Sequence, residues 1–251
     1  LINSLNAFIT EIKSNGKYDE IINSYYGDDT TSSNNVWPMI VKVLKGLGVT
    51  LLITLSAFIL GILIGVLVSL IQGVKSNKFI FKVFKKIADI YVSIFRGTPV
   101  TVQLLIIYYV VFTNIQPLIA AIVAFGLNSG AYVSEIIRGG INSVAKGQME
   151  AGRSLGLTYP TTMRKIILPQ AIRNCLPSLG NEFVALIKET SVVSFITVID
   201  LYSAFRALAT ASFNYKGIYL IMGVVYFVII FIFTHLIKLL EKKVFKNVEA
   251  K

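Results

Sequence analysis

Cysteine and histidine each occur once, at Cys175 and His235, which excludes an internal disulfide and leaves too few soft ligands for a protein-held zinc site. Neither residue is assigned a function. Charge is scarce as well: 15% of the 251 residues are Asp, Glu, Lys or Arg, where a soluble domain carries about 25%. Acidic side chains are the scarcer sign, 13 against 24 basic ones, for a formal net charge of +11. In a soluble protein that excess would raise nucleic acid as a partner. Here the cations fall in short stretches between apolar runs, the pattern of cytoplasmic loops, and nucleic acid is not expected. A G-x-x-x-x-G-K-[ST] phosphate loop is missing too, so the chain is not expected to hydrolyse nucleotide alone. No catalytic residue, metal ligand set or bound cofactor is marked.

What is plentiful is apolar surface. Hydrophobic residues make up 55% of the chain and mean hydropathy is +0.71, which predicts an all-α membrane protein. A bilayer core about 30 Å thick needs roughly 20 helical residues to cross it. The run from Leu47 to Ile71 meets this without a charge, and Lys75, Lys78, Lys82, Lys85 and Lys86 follow it. Positive residues gather on the cytoplasmic side, so the N-terminus is expected outside. Further spans are predicted at Pro99 to Ile115, Pro117 to Ile137, Ala171 to Ile199 and Ile218 to Leu240. The Ala171 to Ile199 run is interrupted by Lys188-Glu189-Thr190-Ser191. Five spans that start outside end inside, in agreement with Lys238, Lys242, Lys243 and Lys246 after the last and with the basic loop holding Arg153, Arg164 and Lys165. Phe79 to Arg96 alternates apolar and basic residues at helical spacing and reads as an amphipathic helix in the inner interface, broken from the second span at Arg96-Gly97-Thr98-Pro99.

Ahead of the membrane part, residues 1–27 carry apolar residues at helical spacing with a break at Asn15-Gly16, and suit two short amphipathic helices on a soluble core. A polar linker, DDTTSSNN, follows from Asp28. The sequence opens on Leu1 with no leader before its first apolar run, and is expected to be a piece of a longer polypeptide.

The most specific pattern is cytoplasmic. Val144 to Leu155 predicts a short helix ended by Gly156, and Thr158 caps a second helix with Tyr159 and Pro160 in its first turn. That second helix is expected to present Met163, Ile166, Ile167 and Leu168 until Pro169 resets the chain. A helix–turn–helix of this kind fits a partner's groove and transmits displacement. Its residues Glu150, Ala151, Gly152, Gly156, Ile166, Leu168 and Pro169 resemble the EAA loop of ABC importer permeases (EAA, three residues, G, nine residues, I-x-L-P), with Gly152 replacing the third-position alanine. FRGTPVTVQL at 95–104, LNSGAYVSEIIRGGI at 127–141 and IKETSVVSFITVIDL at 187–201 are similar to the polar amino acid branch of that family.

The resemblance implies the type I importer permease fold, with five core transmembrane helices in residues 41–247 and a coupling loop at 141–170. It implies a bacterial cell membrane location, a second permease copy as a homodimer, and two cytoplasmic ABC ATPase subunits that hold ATP and Mg and receive Glu150, Ala151, Gly152, Arg153, Gly156, Ile166, Leu168 and Pro169. It implies also an extracellular amino acid binding domain. LNAFITEIKSNGKYDEIINSYYG resembles the closing helices of such a domain, so residues 1–27 are expected to be its tail and 28–40 a linker.

Polar residues within the spans are candidates for the pathway of a polar amino acid. Glu135 either receives a substrate ammonium or pairs with Arg138. Asn128, Ser129 and Gln103 either line the same cavity or bond between helices. Arg96 meets a carboxylate or reaches lipid phosphate, and Lys188 with Glu189 marks a site or an internal ion pair. Two other classes compete with the importer reading: an ion-coupled secondary transporter, for which paired inverted repeats are expected and five spans do not divide evenly, and a membrane anchor for the preceding domain.

Overall fold

The computed structural model describes residues 2–18, 20, 36–74 and 76–249. The linker from Asp28 to Asn35, residues 21–27 and Lys75 lie outside the described residues, as do the side chains of Lys243 and Lys246. The chain divides into two compact units, 1–43 and 44–251.

In the first unit, α1 spans Ile2–Ser14 and stops at Asn15-Gly16. Gly16 turns the backbone with φ +75°, a left-handed conformation that costs glycine little, and the Asn15 side-chain oxygen accepts from the Lys17 amide at 3.1 Å. Helix resumes at residues 17–18, so the expected break is where the sequence placed it.

The second unit is a packed set of helices. α2 (Trp37–Gly73), which belongs to this unit from Leu44 on, is longer than the predicted span because helix begins at Trp37, ahead of Leu47. One face of α2 is built from small residues four apart, including Ala57, Gly61 and Gly65, all buried. On the opposite side Leu52, Leu55, Ile59, Leu63 and Leu67 are exposed, as a lipid-facing surface requires.

The small face meets α5 (Pro117–Asn142), which covers the predicted third span and runs one turn past it. The backbones approach closely: a Cβ added at Gly61 would lie 2.8 Å from the Ser129 side chain, and one at Gly65 would lie 2.6 Å from Val133. Glycines on α5 answer them, since a Cβ at Gly130 would lie 2.7 Å from Ile64 and 2.8 Å from the Tyr91 hydroxyl.

Between these helices the chain makes a broken crossing. α3 (Phe79–Gly97) and α4 (Val100–Ile106, prolonged by a π-helical turn Ile107–Val111) meet at 112°. The second span therefore ends at Val111 and not at Ile115, and α4 with its π turn is too short to cross about 30 Å of hydrocarbon at 1.5 Å per residue. α3 presents three faces. Ala88 and Val92 are buried beside Val68, Ile64 and Tyr91; Ile80, Ile87, Ile90 and Ile94 are exposed and apolar; Lys78, Lys82, Lys85 and Lys86 are exposed and basic. Gln72 on α2 donates to Asp89 on α3 at 2.9 Å.

After α5 come α6 (Lys146–Ser154) and α7 (Tyr159–Thr162), and a π turn at Met163–Ile167 leads into α8 (Leu168–Glu189). Pro169 does not reset the chain. It sits in the first turn of α8, and the π turn before it lets the Leu168 amide bond the Met163 carbonyl, so helix continues across the proline. The predicted fourth span is α8 followed by a 3₁₀ helix at Thr190–Ile196, which ends at Thr197 in a left-handed conformation with φ +63°.

A helix that the sequence reading missed, α9 (Leu201–Ser212), joins the fourth and fifth spans. Asp200 starts it by accepting from the Ser203 and Tyr202 amides at 2.9 and 3.2 Å, while the Leu201 amide donates to Thr50 of α2 at 3.1 Å. Burial pushes the Asp200 carboxyl up, and the Ser203 and Tyr202 donors oppose that push. α10 (Tyr215–Glu249) completes the unit.

Among the described residues three helices, α2, α5 and α10, are long and apolar enough to cross a membrane singly, and the bent α3–α4 pair is so when taken together. α8 fails a test of apolarity because it carries Arg173, Glu182, Lys188 and Glu189. Its place is set by packing on α5 and α10.

Gly65→Leu should overpack the α2–α5 contact, costing about 1–3 kcal/mol, whereas Gly73→Leu, with open space around its Cβ, should leave stability unchanged. Thermal unfolding of the two detergent-purified variants checks the contrast.

Candidate functional site

The helix–turn–helix at α6 and α7 is held together by its own bonds. Gly156, at φ +81°, ends α6 in a Schellman motif: the Leu157 amide donates to the Gly152 carbonyl at 3.1 Å and the Gly156 amide to the Arg153 carbonyl at 3.0 Å. The Arg153 guanidinium closes the same turn onto the Leu157 carbonyl at 2.8 Å. Thr158 then caps α7, its hydroxyl 2.8 Å from that of Thr161, and its carbonyl accepts from the Thr162 hydroxyl at 3.0 Å.

Val144, Ile167 and Ala171 form a small core beneath the turn, with Met163 and Ile166 packed on it. This differs from the expected outward presentation: Ile167 is buried, and Met163 and Ile166 are half-buried, because the π turn rotates them towards α6. Glu150, Ala151, Arg153, Gly156, Leu168 and Pro169 are exposed, along with Tyr159 and a Leu155 that is 81% exposed. The turn thereby ends in an exposed apolar tip flanked by Glu150 and Arg153. Gly152, the departure from the loop pattern, is buried against Thr162, whose Cγ2 would lie 2.5 Å from an added Cβ.

A second cluster lies between α3, α5 and α8. Arg96, at the end of α3, pairs with Glu135 at 3.2 Å, and Arg138, one turn along α5, pairs with the other Glu135 oxygen at 2.6 Å. The Arg96 guanidinium also stands over the Tyr132 ring, 5.5 Å from its centroid. Arg96, Tyr132 and Glu135, but not Arg138, edge an open cavity of about 420 Å³ that continues past Gly139 to Ser143, Asn174 and Ser178. Both readings of Glu135 bear on this arrangement: it is paired with Arg138, and it faces an open space.

Gln103 and Asn128 belong together elsewhere. The Gln103 amide nitrogen donates to the Phe95 and Thr98 carbonyls at 2.8 and 3.0 Å, and Asn128 donates to the Gln103 side-chain oxygen at 2.8 Å. They hold the α3–α4 break closed, with Asn128 3% exposed. Ser129 is fully buried and faces Glu182, a carboxylate in the middle of α8 that the sequence reading passed over in favour of Lys188 and Glu189. The signal was available, as an acid within the Ala171 to Ile199 run, but the stronger interruption at residues 188–191 masks it. Glu182 lies within electrostatic reach of Glu189, whose charge Lys188 counters.

Gly152→Ala should strain the turn against Thr162, lowering the thermal midpoint. Combining it with Thr162→Ser should restore part of the loss, as a coupled pair does. Thermal unfolding of the single and double variants measures that coupling.

Residues 61–246 match the family model described as binding-protein-dependent transport system inner membrane component. The arginine transport system permease protein ArtQ of Bacillus subtilis (strain 168) is 39% identical over 214 residues, covering 84% of this chain and 95% of that protein. A putative glutamine transport system permease protein, GlnP, of Rickettsia typhi is 40% identical over 215 residues, covering 84% and 96%. A crystal structure of an amino acid ABC transporter with histidines superposes with a TM-score of 0.76 at 38% identity, covering 84% of this chain and all of that one. The MetNI methionine ABC transporter, at 20% identity and a TM-score of 0.70, shares the fold. With most of its length matched by the family model and by relatives near 40% identity, the chain belongs to the binding-protein-dependent transport system inner membrane components, among the amino acid ABC permeases.

Proposed function

We propose that the chain is the permease subunit of an ATP-driven importer for polar amino acids in a bacterial cell membrane, driven through its cytoplasmic loop by two ABC ATPase subunits. The observation that carries the coupling is the exposed tip of α6 and α7. Leu155 and Tyr159 supply apolar contact area, Glu150 and Arg153 supply charge, and the capped turn holds them in a fixed relation. ATP and Mg belong to the partner subunits, and this chain contributes no group to hydrolysis.

Two copies of the fold would form the pathway, with N-termini outside and C-termini inside. An extracellular binding domain would deliver the amino acid. Helix α1 and the Asn15-Gly16 turn support residues 1–27 as the tail of such a domain, joined through residues 28–40 to a permease domain at 41–247. The names of the relatives, an arginine permease and glutamine permeases, support a polar substrate. Within the spans, Glu182, Glu189, Ser129 and Lys188 are the groups that such a substrate would pass, while Gln103 and Asn128 keep the broken crossing in shape.

Co-reconstitution with the ATPase subunits and the binding domain in lipid vesicles tests the assignment. Substrate-loaded binding domain should raise ATP turnover and drive uptake; uptake under an ion gradient without any ATPase would exclude it. Glu150→Lys, which reverses a charge on the docking tip, should cut uptake about tenfold or more, the size of a lost interface hot spot. Membrane insertion and thermal midpoint should be unchanged, because Glu150 is exposed.

A further inference from the structure

The cavity edged by Arg96, Tyr132 and Glu135 has features that tying α3 to α5 does not require. Two guanidinium groups share one carboxylate, so the cluster carries a net positive charge, and its charges alternate plus, minus, plus. All three remain reachable: the side chains of Arg96, Glu135 and Arg138 are 43%, 23% and 50% exposed. Beyond that charged rim the lining turns neutral. Ser143, Asn174 and Ser178 offer small polar groups, with Asn174 donating to Ser143 at 2.8 Å.

Gly139 leaves the cavity floor bare. A Cβ there would meet nothing within 4 Å, whereas one on the adjacent Gly140 would collide with Cys175. At about 420 Å³ the space falls within the usual range for small-molecule sites, about 300–1,000 Å³.

We propose that this cavity binds the zwitterionic head of a free amino acid on the inner half of the pathway. Arg96 takes its α-carboxylate, and Glu135, steadied from outside the cavity by Arg138, takes its α-ammonium. Arg fits a carboxylate through paired donors, and Glu135, with two oxygens and spare lone pairs, accepts an ammonium without releasing either arginine. Partial burial strengthens both contacts over their value in water. The neutral lining makes no demand on the side chain, so the site reads what all α-amino acids share and leaves the choice among them to other groups. The site rests on the reading of the chain as an amino acid permease. It is separate from the Glu182 and Glu189 carboxylates further along α8.

The experiment uses the 251-residue chain in lipid nanodiscs and measures binding of L-glutamine and L-arginine, of L-glutaminamide, which lacks the carboxylate, and of 4-carbamoylbutanoate, which lacks the ammonium. Glutamine and arginine should bind with similar affinity, and each truncated analogue at least about tenfold more weakly, as expected for deleting one of two charge contacts. Arg96→Gln should erase the penalty for the amide, Arg96→Lys should retain it, and Glu135→Gln should erase the penalty for the deaminated acid. Gly139→Leu should abolish binding of every probe with the thermal midpoint unchanged, since its side chain enters open space.

A cluster that only holds helices together would give lowered thermal midpoints with both penalties intact. That result would overturn the site, as would no binding of either amino acid by the folded chain. Uptake by the assembled importer, measured alongside, separates the two failures. Uptake with unaltered penalties removes the site alone, and no uptake of any amino acid removes the reading beneath it.

Discussion

In hydrocarbon there is no water to bond a freed backbone group, so every departure from regular helix must find its partner inside the protein. The structure departs at several places. At Gly97-Thr98-Pro99 the chain turns by 112°, and the Gln103 side chain bonds the carbonyls of Phe95 and Thr98, with Asn128 of α5 fixing Gln103 in turn. Nearby, the Tyr91 hydroxyl bonds the Leu127 carbonyl at 2.6 Å. At the other end of the fourth span, Asp200 and Thr50 serve the amides that open α9. Gln103, Tyr91, Thr50 and Asp200 are therefore part of the backbone's completion before they are anything else.

The second constraint is distance. A side-chain amide or hydroxyl serves a neighbouring helix only if the axes are close, and the glycines of α2 and α5 bring them close. Gly61, Gly65 and Gly130 each face a side chain that occupies the room a Cβ would need. The charged cluster at Arg96 depends on the same approach. α3 packs on α2 through Ala88 and Val92 and reaches α5 through Tyr91, which bonds the Leu127 carbonyl, and its last turn places Arg96 beside Glu135.

Much of this was legible from the sequence where one physical effect dominated. The uncharged run of α2, the basic amphipathic pattern of α3, and the Gly156 and Thr158 signals of the loop each gave the right element in nearly the right place. Where two effects competed, the reading failed. Pro169 is a helix breaker by chemistry, but a π turn absorbed it. Helix α9 has an aspartate cap and little apolar length, so hydropathy alone did not reveal it. Glu182 was hidden by a louder interruption further along the same helix. Gln103 and Asn128 could be recognised as polar residues in a span, but their partners are backbone carbonyls, and no residue pattern announces a carbonyl.

The small core under the cytoplasmic turn has a mechanical consequence. Val144 follows directly on α5 and Ala171 lies within α8, so one cluster clamps the tip to both helices at their inner ends. A clamp of that kind is stiff. The ends of α5 and α8 that meet at this cluster are held to the turn together. The compliance needed for any reshaping of the interior must then sit where regular helix gives out, at the Thr98-Pro99 corner and along the 3₁₀ stretch to Thr197.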